Sequence, residues 1–169
     1  PMASMLYALE VPKFGGDTLF ANCYMAYETL SEGLKTTLEP LIGVNSSTKG
    51  RVVDTRAARI ADAPKEDAKK PRVAEHPVIR VHPETGRKSL YVSFAHTTNF
   101  KGWSEAESQP LLDYLFEHQT LPEFTCRFRW EKGSIALWDN RCALHNPIND
   151  YHGHKRVLHR ITFAGMDTA

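Results

Sequence analysis

A mainly β domain with flanking helices is the fold class this sequence predicts, and three features carry the prediction. Phe124 to Trp130 (Phe-Thr-Cys-Arg-Phe-Arg-Trp) alternates strictly, as a strand with one buried face does. Ser134 to Trp138 is a short apolar strand, and Arg156 to Phe163 is a second strand of alternating character. Only two stretches carry apolar residues at the three- and four-residue steps of an amphipathic helix. With 169 residues, 41% of them hydrophobic, the chain is long enough for one domain with a real core, so 1–169 reads as a single domain.

From the start, Ala8 to Phe20 reads as a strand, a Pro/Gly turn and another strand, with the Thr18 hydroxyl just past the turn. Asn22 to Pro40 carries Tyr24, Tyr27, Leu30, Leu34 and Leu38 on one helical face, with a break at Ser31-Glu32-Gly33. The segment 49–75 is crowded with charge and poor in apolar residues, which predicts a mobile lid or a solvated surface insertion. Ser104 caps a helix running to His118, with Glu107 completing a capping box and Leu111, Leu112, Leu115 and Phe116 as its buried stripe. In the strand that follows, Phe124, Cys126, Phe128 and Trp130 face the core, and Arg127 and Arg129 face outward. The turn-rich segment from Asn146 to His154 lies between the last two strands, which predicts that they pair as a long-looped hairpin, with His145 where the first arm ends.

The chemistry concentrates there. Arg156, Leu158 and Arg160 share one strand face, and Val157 and Ile161 suggest burial on both sides of the strand. Two guanidiniums on an inward face need an anion, and arginine grips a carboxylate with a planar fork that never loses its charge. Beside them His145 is a candidate metal ligand, although a strand-end histidine alone is as readily structural. Together they suggest an iron site that also holds a dicarboxylate. His152, His154 and His159 offer a rival zinc cluster, which their loop setting and the absence of a nearby cysteine disfavour.

Composition narrows the partners. A formal charge of +1, with no aromatic-interleaved basic cluster, argues against nucleic acid. No apolar run is long enough to cross a bilayer, so no membrane partner is expected. Cys23, Cys126 and Cys142, odd in number and too far apart for a zinc motif, fit buried thiols in a reduced cytoplasmic protein. A homo-oligomer is a possible assembly.

Ordered motifs add a resemblance along nearly the whole chain. They are Glu10-Val11-Pro12 with Gly15-Gly16-Asp17-Thr18, Ala26-Tyr27-Glu28-Thr29-Leu30-Ser31, His76-Pro77-Val78-Ile79-Arg80 with His82-Pro83-Glu84-Thr85-Gly86-Arg87, Leu90-Tyr91-Val92, and Trp138-Asp139-Asn140-Arg141 with His145, Arg156 and Arg160. In this order they resemble the taurine dioxygenase and 2,4-dichlorophenoxyacetate dioxygenase family of iron(II), 2-oxoglutarate-dependent oxygenases. The resemblance implies a double-stranded β-helix, or jelly roll, holding iron(II) on two histidines and a carboxylate, with open positions for the oxoacid and oxygen. It implies that His145 is the distal histidine ligand, that Thr18 and Arg156 bind the far carboxylate of 2-oxoglutarate, that Arg160 and His96 lie near the substrate, and that Trp138 packs beside the metal. The activity implied is hydroxylation of a small anionic substrate, a sulfonate, sulfate ester or carboxylate, coupled to decarboxylation of 2-oxoglutarate to succinate.

One departure stands out. The family's His-x-Asp or His-x-Glu pair precedes the Gly-Gly-Asp-Thr turn by roughly two dozen residues, and residues 1–14 contain neither histidine nor aspartate. The chain is therefore expected to be the C-terminal part of a longer protein, with a jelly roll incomplete at its N-terminal side. A truncated, non-catalytic jelly-roll remnant without iron, and a zinc-dependent or metal-free cupin-type enzyme, are the alternatives.

Overall fold

Apolar alternation along the chain produces two three-stranded antiparallel sheets that pack on each other through aromatic side chains, flanked by a helical layer. The structure is a computed structural model and describes residues 1–49 and 72–165. In the first sheet β1 (Ala3–Glu10) lies between β9 (Ile135–Asp139) and β11 (Val157–Phe163). In the second, β2 (Thr18–Asn22) lies between β8 (Thr125–Phe128) and β10 (Ala143–Pro147). Trp130, Trp138, Ala8 and Ala136 are buried between the sheets, with Leu6, Phe20, Phe128, Ala143 and Leu158 packed around them. That arrangement is the sandwich core of the double-stranded β-helix.

The order of strands corrects one expectation. Ser134–Trp138 and Arg156–Phe163 do not form a hairpin; β1 inserts between them, with Leu6 opposite both Ala136 and Arg160. Both segments are strands as expected, but a strand pattern says nothing about which strand is the neighbour. β10 instead crosses to the other sheet, so His145 belongs to a strand of its own rather than to the end of a hairpin arm.

A second core joins the helices to the remaining strands. α1 (Cys23–Glu28) and α2 (Glu32–Leu38) break at Ser31, whose hydroxyl caps α2 by accepting from the Leu34 amide. α3 (Glu105–His118) has the predicted capping box: Glu107 N–H donates to Ser104 Oγ at 3.2 Å, and Ser104 N–H donates to the Glu107 carboxylate at 2.8 Å. Its Leu112, Leu115 and Phe116 are buried against Leu30, Leu38, Val78, Leu90 and Phe100, with Leu111 half-buried at the edge. Burying side chains of this size stabilises by about 1.5–3 kcal/mol each, so this cluster is the main anchor of the helical layer. β3 (Ile42–Ser46) pairs with β4 (Val73–Pro77) and with β7 (Thr97–Phe100), and β5 (Ile79–Val81) pairs with β6 (Lys88–Leu90). The charged 49–75 segment runs between β3 and β4, and residues 50–71 of it lie outside the described residues. At its base the Ser47 amide donates to Arg72 O at 3.0 Å and the Arg72 amide donates to Ser47 Oγ at 2.9 Å.

Two burial expectations need correction. Phe124 and Trp130 are buried and Phe128 half-buried, but Cys126 is exposed, because the regular strand spans only Thr125–Phe128 and its middle is left uncovered. Cys23 is buried and Cys142 half-buried, so the expectation of three buried thiols holds for Cys23 alone. β11 is likewise not buried on both sides: Val157 and Leu158 are half-buried, whereas His159 to Phe163 are exposed. It is an edge strand of its sheet, paired among the described residues with β1.

Candidate functional site

The turn between β1 and β2 builds the first half of the site. Gly15 and Gly16 take φ of +77° and +72°, the left-handed region that glycine enters without steric cost. A Cβ on Gly16 would lie 2.9 Å from Arg156 Cδ, so the missing side chain lets Arg156 lie against the turn. Arg156 Nε donates to Gly16 O at 2.8 Å, and the Gly16 amide donates to Asp150 Oδ1 at 2.6 Å. Two residues on, Thr18 opens β2 and is only 1% exposed. Trp130 Nε1 donates to Thr18 Oγ1 at 3.0 Å, and the Arg156 guanidinium sits 5.8 Å from the Trp130 and Tyr151 ring centres. A buried hydroxyl and a guanidinium set by a turn and two aromatic rings make a receptor for a carboxylate. Asp17 does not oppose it, because its carboxylate accepts from Arg127 Nε at 2.7 Å.

Antiparallel pairing builds the second half. Pro147 lies opposite Thr18 and His145 opposite Phe20, so the His145 side chain shares a sheet face with Thr18, one ladder step away. The ring centre of His145 is 4.7 Å from that of Trp138. Although the residue is exposed by surface area, the protein packed around its ring pulls the imidazole pKa below its ordinary value, with the Arg160 charge as the second cause. Both causes favour the neutral imidazole, which is the form that binds a metal. Edge-to-face contacts run from Trp130 to Phe128, to Phe20 and to Trp138, and so connect the two halves.

These residues fit the oxoacid end of an iron, 2-oxoglutarate site in full and the metal end in part. His145 supplies one imidazole, and among the described residues it belongs to no group of three ligand side chains. The side chains that do converge like metal ligands are His82, Asp139 and Cys142, with ligand atoms within 4.8 Å of one another. Their chemistry is that of a structural clamp. Arg141 Nε and Nη2 donate to the Asp139 carboxylate at 2.9 and 2.5 Å, and His82 Nε2 pairs with it at 3.0 Å. Desolvation alone would raise the Asp139 carboxyl, but these hydrogen bonds outweigh it and hold the group far below the usual carboxylate range. A carboxylate already gripped by a guanidinium has little left to offer a cation.

The other predicted residues divide. Arg160 lies on the β11 face shared with Leu158, which packs into the sandwich core, and its charge is felt at His145. His96 is exposed in the turn before β7, where its carbonyl accepts from the Ser46 amide; no described contact joins its ring to the site. His152, His154 and His159 are exposed and, among the described residues, form no ligand cluster. Trp130 and the Asp139 clamp are what sequence reasoning missed as parts of the site. Trp130 was visible only as the last core position of an alternating strand, and nothing in its spacing pointed to Thr18.

Comparison with known proteins shows the family. The model of the Taurine catabolism dioxygenase TauD, TfdA family matches residues 1–162. The alkylsulfatase of Acinetobacter baylyi (strain ATCC 33305 / BD413 / ADP1) is 39% identical over 171 residues, covering 99% of this chain and 54% of that protein. An alpha-ketoglutarate-dependent sulfate ester dioxygenase of Pseudomonas putida is 37% identical over 168 residues, covering 98% of this chain and 56% of its own length. Among solved structures, AAD-2 in complex with Mn(II) and N-oxalylglycine superposes with a TM-score of 0.83 at 29% identity, over 98% of this chain and 64% of that one. The chain thus spans about half the length of the curated relatives it matches. With its jelly-roll sheets, its match over residues 1–162 and relatives 37–39% identical along nearly its whole length, the chain belongs to the Taurine catabolism dioxygenase TauD, TfdA family.

Proposed function

We propose that this chain carries the oxoacid-binding part, and one metal ligand, of an iron(II)- and 2-oxoglutarate-dependent dioxygenase that hydroxylates a small anionic substrate. The observation that carries the reading is the placement of Thr18 one ladder step from His145, with Arg156 held on Gly16 O two residues before Thr18. Arg156 and the Thr18 hydroxyl hold the far carboxylate of 2-oxoglutarate, and this orients its keto end toward His145. Bound iron(II) supplies the oxidation of a substrate C–H bond by oxygen while the oxoacid is decarboxylated to succinate. The aromatic row from Trp130 to Trp138 keeps the interior dry around the reacting groups. Arg160 attracts the substrate anion, and a sulfate ester is favoured because the alkylsulfatase and the sulfate ester dioxygenase are among the relatives. The three free thiols support a cytoplasmic location.

A second reading, a folded remnant without turnover, has one observation in its favour: among the described residues His145 belongs to no group of three ligand side chains. The two separate when the intact mass of the native protein is measured beside succinate release from 2-oxoglutarate with added iron(II). A mass above 19.1 kDa with succinate release is the expected result. A mass of 19.1 kDa without release would leave the remnant.

A further inference from the structure

We infer that Trp130 is a positioning residue for the oxoacid, acting through Thr18: its indole N–H fixes the Thr18 hydroxyl as a hydrogen-bond donor aimed at the ligand carboxylate. The inference rests on the reading of Thr18 and Arg156 as the 2-oxoglutarate receptor.

A threonine hydroxyl carries one donor and two acceptor lone pairs, and in water it rotates freely between the two roles. Here one of the two lone pairs is already taken. Trp130 Nε1 donates to Thr18 Oγ1 at 3.0 Å, and an indole N–H can only donate, so it occupies an oxygen lone pair and cannot receive the hydroxyl proton. Among the described residues no protein acceptor takes that proton. Both partners are buried, Thr18 at 1% and Trp130 at 5% exposure, so water does not compete for the arrangement. The hydroxyl proton is thereby turned away from the indole and left for a ligand acceptor such as a carboxylate oxygen, beside one remaining lone pair. A donor already accepting one hydrogen bond is also polarised toward giving a stronger one. The same indole ring lies 5.8 Å from the Arg156 guanidinium, whose Nε is fixed on Gly16 O, so one side chain orients both halves of the receptor.

Trp130→Phe removes the N–H while keeping a ring in the aromatic row beside Phe128, and Thr18→Val removes the hydroxyl at nearly constant volume. The full chain has three tryptophans, and so three indole N–H resonances in a nitrogen-15 spectrum; the one lost in Trp130→Phe assigns Trp130. Titrating the labelled chain with 2-oxoglutarate should move the Trp130 resonance downfield as its acceptor hydroxyl is polarised. Trp130→Phe should weaken binding roughly tenfold, Thr18→Val by a similar factor, and the double variant by no more than either, because both remove one chain of hydrogen bonds. A merely structural Trp130 would give a lower melting temperature in Trp130→Phe with unchanged affinity. That outcome, or an indole resonance that stays fixed while Thr18→Val weakens binding, overturns the inference and leaves the oxoacid reading standing. A chain that does not bind 2-oxoglutarate, or a Thr18→Val that binds as tightly as the parent, overturns the reading and the inference with it. The wild-type titration decides even if a variant fails to fold.

Discussion

At the turn end of the site, Thr18 and Arg156 are each held by groups that these residues supply: an indole N–H, a glycine carbonyl and two aromatic rings. At the other end, one ladder step along the same sheet face, His145 leans on a single indole and is otherwise open. On the proposed reading, the first end carries several fixed donors for an anion and the second a single imidazole for a metal. Binding an anion with preorganised donors needs only groups within these residues, because the turn, the strand start and Trp130 hold Thr18 and Arg156 in place. Holding a transition metal needs several ligands at fixed separations, and one imidazole confers little affinity.

The sharpest way to separate the ends is to remove one at a time. His145→Ala should abolish succinate release by the native protein while the metal-free chain binds 2-oxoglutarate within about twofold of the parent, as read by the Trp130 indole resonance. Loss of that binding in His145→Ala would mean that the two ends are not independent. Arg156→Ala should weaken oxoacid binding by roughly two orders of magnitude, since truncating one partner of a buried charged pair costs about 2–5 kcal/mol. The same titration checks it, and metal binding at His145 should be unchanged.

The clamp around Asp139 gives a smaller effect on stability. Its carboxyl pKa is depressed by Arg141 and His82, so on acidification the unfolded state takes up this proton first. The stabilisation is complete above the unfolded pKa, near 4, and is lost as pH falls through the folded value. Asp139→Asn should lower stability by about 1–3 kcal/mol at neutral pH and flatten the acid limb of a denaturation profile measured from neutral pH to pH 2. A profile as steep as the parent's would show that other carboxylates dominate acid unfolding. The least perturbing probe is thiol chemistry. Cys126 should react first with a thiol reagent in the native state, and Cys23, buried and with its pKa pushed up to about 12 mainly by desolvation, should react only on unfolding. Rapid native labelling of Cys23 would contradict the burial of the β2–α1 junction.

What the sequence showed depended on how local the physics was. The α3 capping box, the break at Ser31 and the Gly15-Gly16 turn are set by residues within a few positions of one another, and each was legible. Ordered motifs pointed to Thr18, Arg156 and His145, and the fold joins Arg156 to the Gly16 turn and sets Thr18 and His145 on one ladder. Strand neighbours were not legible: β9 and β11 were expected to pair, yet the strand between them begins at Ala3, far away in sequence. The exposure of Cys126 and of the end of β11 was equally hidden, since alternation shows that a strand has two faces but not what covers them. Trp130 and the Arg141, Asp139 and His82 clamp join residues that no periodicity connects.

The turn beside Arg156 has a consequence for how this chain can change over generations. Any side chain at Gly16 would meet Arg156, and one at Gly15 would come within 2.7 Å of Asp150 Oδ1, both at backbone angles that other residues resist. A mutation at either position would therefore be penalised through the fold, and on the proposed reading a second time through the oxoacid. Change in this chain is thus steered to residues elsewhere, while this dipeptide is held.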